Sequence, residues 1–121
     1  MKATDLMIKD WVNSQLDGHP IQIDEEVFYI LIKGYDDGIE PIPITAEILE
    51  KNGFWVMGNV DNGAEEYIAY AIDGLIFHYN RDNDYYFPNT PISWKYVHEL
   101  QHALRLCGLE ELADNFKVYE E

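Results

Sequence analysis

Apolar residues in the first two-thirds of the chain fall into short β-rich runs: Met7 to Val12, Ile21 to Ile23, Val27 to Lys33, Phe54 to Met57, Tyr67 to Ala71, Leu75 to Tyr79 and Tyr85 to Phe87. Turn signals punctuate them at Asp17-Gly18, Asp36-Asp37-Gly38, Asp61-Asn62-Gly63 and Asp73-Gly74. Asx-Gly pairs supply the positive φ angles that tight hairpin turns require. The pattern predicts an antiparallel meander, with closure into a small barrel as its most curved form.

Two helices stand out from this rhythm. Pro41-Ile42-Pro43-Ile44 reads as extended, because each proline biases its predecessor away from helix. Thr45 is then an N-cap, Ala46 to Lys51 a short helix and Asn52-Gly53 its stop. The second helix is predicted over Trp94 to Leu106, with Ser93 as N-cap and Gly108 as the C′ residue. Val97, Leu100, Leu104 and Cys107 recur at spacings of three and four, giving an apolar stripe to lay on the sheet. Leu109, Leu112, Ala113 and Phe116 continue the spacing into a last turn or two, and Lys117 to Tyr119 suits an edge strand. The expected fold is a single α+β domain over residues 1–121. It has a strongly curved antiparallel sheet, one short helix and a C-terminal helix packed across the sheet.

Composition narrows the setting. The 121 residues include 47% hydrophobic and 14% aromatic positions, enough for a packed core. Twenty-three acids against eight bases give a formal charge of −15, which disfavours contact with nucleic-acid phosphates or an anionic membrane surface. A single cysteine, Cys107, allows no internal disulfide and suits an intracellular chain. The opening MKATDLMIKDWV carries Asp5 and Asp10 where a signal peptide needs an apolar run, so the expected location is the cytoplasm.

Three blocks, ATDLMIKDWV, PIPITAEILEKNGF and YVHELQHALRLCGLEE, resemble small uncharacterised proteins of Bacteroidetes genomes, often encoded by prophages or other mobile elements. The resemblance implies no activity. It implies an accessory role and makes the HELQH stretch a local variant of a structural helix.

That stretch, His98-Glu99-Leu100-Gln101-His102, formally matches H-E-x-x-H. Two imidazoles one helical turn apart are able to share a Zn²⁺, with Glu99 as general base on a metal-bound water. Against zinc, no third-ligand motif follows within the remaining residues, and Arg105 stands where a longer motif has glycine. The helical wheel also puts His98 and His102 opposite the apolar stripe, on a solvated face shared with the cations Lys95 and Arg105. Asp82-Asn83-Asp84 lacks the glycine and distal glutamate of a calcium loop and reads as a solvated turn. Cys107, placed in the apolar stripe, reads as inert.

The acids themselves are a candidate surface. Residues 34 to 66 carry a net −7, with Asp36, Asp37, Glu40, Glu65 and Glu66 as candidate contacts for a basic partner. A rigid acidic face also imitates the phosphate array of DNA, which suggests a decoy for a nucleic-acid-binding protein. The sequence favours a non-catalytic interaction protein with no cofactor. The acidic decoy and the zinc-dependent hydrolase are the alternatives.

Overall fold

The computed structural model describes residues 6–15, 18–33, 38–61, 66–80, 85–88 and 92–118. Along the chain these form β1 (Trp11–Ser14), β2 (His19–Gln22), α1 (Glu25–Ile32), β3 (Ile39–Glu40), α2 (Ala46–Lys51) and β4 (Trp55–Asp61). There follow β5 (Glu66–Ile72), β6 (Leu75–Asn80), β7 (Tyr85–Tyr86), β8 (Ser93–Trp94), α3 (Val97–Leu106) and α4 (Glu110–Asp114). The fold is α+β, and the described residues form two antiparallel sheets, of three and five strands, and four helices. The residues group into two compact units, one built from the chain up to Ile44 together with the chain from Tyr96, the other from Thr45–Lys95.

In the first unit β1 is the centre of the sheet β2-β1-β3, with Val12 opposite Ile21 and Asn13 opposite Glu40. Val12 is buried with Leu6, Ile23 and Leu31, and Ile21, Val27, Phe28 and Ile39 pack around them. α3 packs against β1 and α4. Val97, Leu100 and Leu104 are buried, as the apolar spacing requires, while Cys107 at the end of the stripe is exposed. Gly108 takes a φ of +81°, the left-handed geometry of a helix stop.

The second unit is a meander in the order β4-β5-β6-β7-β8 together with α2. The β5–β6 turn is Asp73-Gly74, both with positive φ (46° and 85°), the two-residue hairpin that the sequence signals. Phe77 centres the core, its ring centroid 5.4 Å from Phe54 and 5.4 Å from Trp94. Tyr70 and Tyr85 are buried beside it. Among the described residues β4 and β8 each pair on one side only, so the sheet is open and does not close into a barrel.

Several expectations are corrected. Val27 to Lys33 is not a strand: Asp24 caps a helix there, its Oδ1 accepting from the Val27 N–H at 2.8 Å, and Glu25 and Glu26 occupy the positive end of the helix dipole. Met7 to Asp10 is a turn, closed by the Asp10 N–H on the Met7 carbonyl, rather than the start of a strand. Ser93 and Trp94 pair with β7 as a strand, which moves the start of α3 to Val97. Lys117 and Val118 join no strand, and Tyr119 lies outside the described residues.

The buried phenols carry a test of the second unit. Burial, and then the neighbouring Tyr70 and Tyr79, push the Tyr85 hydroxyl well above its ordinary value of 10.0. Burial, then Tyr79 and Glu50, raise Tyr70 as well. A raised acid stays protonated in the fold after its unfolded counterpart has ionised. Stability is therefore intact below pH 10 and falls as pH rises through the window above it, most of all through Tyr85. Urea midpoints measured from pH 9 upward should show this fall, and Tyr85→Phe should flatten it. An unchanged slope in the variant would place the alkaline weakness elsewhere.

Candidate functional site

α3 carries the H-E-x-x-H pattern, and the fold uses each of its polar side chains. Glu99 turns back on the helix start, where its Oε1 accepts from the Tyr96 N–H at 3.1 Å and satisfies one of the first-turn donors. His98 is buried, 6% exposed, with its ring stacked on Tyr96 at 6.2 Å between centroids. The rings of His98 and His102 lie 5.8 Å apart and 80° from parallel.

His102 meets a residue 92 positions earlier. Its Nε2 lies 2.6 Å from Oδ2 of Asp10, a carboxylate with no solvent exposure. The same Oδ2 accepts from the Met7 N–H at 2.7 Å, and Oδ1 accepts from Arg105 Nη1 at 2.7 Å. Three donors thus converge on one carboxylate, which fixes the His102 proton on Nε2. Arg105 spreads further: Nη2 donates to the Ile8 carbonyl at 3.3 Å and to Asp114 Oδ1 at 3.4 Å. A buried anion is tolerated only when paired and hydrogen-bonded, and Asp10 is both.

Gln101, also without solvent exposure, stands next to this cluster in sequence. Its Oε1 accepts from the Trp11 N–H at 2.8 Å, and its Nε2 donates to the Lys9 carbonyl at 2.8 Å and the Ala113 carbonyl at 2.9 Å. Gln22 Nε2 reinforces the same places, donating to the carbonyls of Lys9 (3.0 Å) and Asp114 (2.8 Å). Trp11 Nε1 donates to the Phe116 carbonyl at 2.6 Å. Lys9 holds a φ of +79°, a left-handed geometry unfavourable for a side-chain-bearing residue by about 1–2 kcal/mol, which these bonds must offset. The result is a clasp: the turn at Met7–Asp10 is fastened to α3 and α4 by side chains of Asp10, Gln101, His102 and Arg105.

This corrects the helix-face assignment. The wheel placed both histidines and Arg105 on a solvated side, yet His98 is buried, and His102 and Arg105 reach a buried anion. Cations near this site oppose a bound metal less than expected, since Arg105 is already neutralised by Asp10. Among the described residues no group of three or more His, Cys, Asp or Glu side chains converges as a metal cage.

The candidate acidic contacts separate. Asp36, Asp37 and Glu65 lie outside the described residues, as do Asp82, Asn83 and Asp84. Glu40 sits in β3 of the first unit, where Oε1 accepts from Gln15 Nε2, and Glu66 begins β5 of the second.

Exposed apolar groups occur elsewhere. Among the described residues of the first unit they are Met7, Ile8, Leu106 and three residues of α1, namely Tyr29, Ile30 and Ile32. In the second they are Trp55, Val56 and Met57 on the outermost strand, Ile76 and Ile92. No helix among the described residues is long and apolar enough to cross a membrane. No family model, curated protein or solved structure matches the chain.

Proposed function

We propose that the protein is a non-catalytic interaction protein in which the H-E-x-x-H stretch closes the fold. One observation carries this reading: the groups that hydrolysis would need free are engaged within the chain, with Glu99 on the Tyr96 N–H and His102 Nε2 on Asp10. A zinc hydrolase needs both imidazoles turned to one metal and the glutamate turned to its water. The exposed apolar residues supply what an interaction protein needs, side chains whose burial awaits a partner. An accessory role is in keeping with the resemblance to mobile-element proteins, and the net charge of −15 favours a basic partner. A cytoplasmic setting belongs to the same reading.

Metal content tests it directly. Untagged protein equilibrated with zinc and then dialysed should retain well under one equivalent by elemental analysis, and His98→Ala should change nothing. Stoichiometric zinc that is lost in His98→Ala would overturn the interaction reading and restore the hydrolase.

A further inference from the structure

α1 is apolar nearly all the way round, from Val27 to Ile32, yet among the described residues only one side of it is covered. Leu31 is buried in the core with Leu6, Val12 and Ile23, and Val27 and Phe28 pack against it half-buried. On the other side Tyr29 is 58% exposed, Ile30 44% and Ile32 61%. A soluble helix ordinarily keeps its outer face polar, and one that is apolar on every side is ordinarily buried on every side. The uncovered face also has a charge polarity. Glu25 and Glu26, both exposed, lie one turn before Tyr29 and Ile30 on the same face, next to the capping carboxylate of Asp24. At the other end Lys33 Nζ sits over the Tyr29 ring, 4.5 Å from its centroid, and closes the apolar patch there.

We infer that this face docks an amphipathic helix of a partner protein, with an apolar stripe over Tyr29, Ile30 and Ile32 and Lys or Arg side chains over Asp24, Glu25 and Glu26. The inference rests on the interaction reading above and names the partner's chemistry. Charge selects the occupant: a second copy would bring another acidic helix end and another −15 of net charge, whereas a basic amphipathic helix complements both features. Eight residues of helix span about 12 Å, so the contact belongs with small, transient interfaces and micromolar affinities.

The probes are two labelled amphipathic peptides sharing one leucine stripe, one with lysine and one with glutamate at the flanking positions, followed by fluorescence anisotropy at physiological salt. The lysine peptide should bind and the glutamate peptide should not. The double variant Tyr29→Ser/Ile32→Ser leaves the net charge unchanged and alters only exposed positions. It should keep its melting temperature and bind the lysine peptide about tenfold more weakly. Glu25→Gln/Glu26→Gln should weaken binding several-fold and reduce its salt dependence. Undiminished binding to the serine variant would overturn the inference, because general negative charge would then hold the peptide. No binding by the unaltered protein would overturn it too. If Trp55→Ser weakens binding and Tyr29→Ser/Ile32→Ser does not, the interaction reading stands with its surface on β4, and α1 is the wrong face. A dimer in sedimentation velocity that Ile32→Ser abolishes would put a second copy on α1 and overturn the basic partner.

Discussion

Asp10→Ala should lower the unfolding free energy by about 3–5 kcal/mol, the loss expected when one partner of a buried ion pair is removed and the other is left behind. Arg105 would lose its best acceptor, His102 the carboxylate that its Nε2 meets, and the Met7 N–H the side-chain bond that braces its turn. The reading is a urea midpoint that moves without a change in slope. His102→Ala should cost less, about 1.5–3 kcal/mol for one hydrogen bond to a charged group, because Arg105 still neutralises Asp10. Leu106→Ala, at a residue 82% exposed, should stay within about 0.5 kcal/mol and serves as the control. A double cycle of Asp10→Ala with Arg105→Ala should show a smaller combined loss than the separate losses added together, since the two share one bond. Additive losses, or an Asp10→Ala cost near that of the control, would mean that the clasp does not hold the turn to α3.

Which parts of this were legible in the sequence follows from which interactions are local. The Asp73-Gly74 hairpin, the Thr45 cap of α2 and the Gly108 stop of α3 are decided within a few residues, and their patterns read correctly. α1 shows the limit of β-branched composition as a strand signal. Val27, Ile30 and Ile32 favour strands, but Asp24 followed by Glu25 and Glu26 is a helix start, and the cap together with the dipole outweighs the weaker propensity. The clasp was harder, because Asp10 and His102 are brought together by tertiary packing alone. Its traces were present nonetheless. Asp10 stands two before Val12 and is as fully buried, and Gln101 falls four after Val97 and three before Leu104, a core spacing occupied by an amide. A polar residue in a core register is the signal that would have found both. The short zinc motif drew attention instead to Glu99, whose position three residues after the cap is equally a capping signal.

Gln101 separates hydrogen bonding from shape more sharply than any other position. Gln101→Leu keeps roughly the same volume and removes three bonds. The Lys9 carbonyl retains Gln22, and the Ala113 carbonyl retains the amide of the α4 cap, but the Trp11 N–H loses the acceptor that the amide supplied. One orphaned donor at about 1–3 kcal/mol, plus two lost bonds near 1 kcal/mol each, puts the cost at roughly 3–5 kcal/mol. Gln101→Glu, although isosteric, should be worse above neutral pH. Its first oxygen still accepts from Trp11, but its second faces two carbonyl oxygens, acceptor against acceptor, with a charge buried and unpaired. Protonation turns that oxygen into a donor, so burial and the facing carbonyls should hold this carboxyl's pKa above the ordinary glutamate range. A folded-state value above the unfolded one means that the variant is most stable below the unfolded pKa and weakens as pH rises through the folded one. Urea midpoints at pH 5 and pH 8 should therefore bring Gln101→Glu close to Gln101→Leu at the lower pH and drop it well beneath at the higher. A Gln101→Glu variant as stable as the unaltered protein at pH 8 would show that the side-chain nitrogen is not seated between Lys9 and Ala113, and the clasp would lose its central staple.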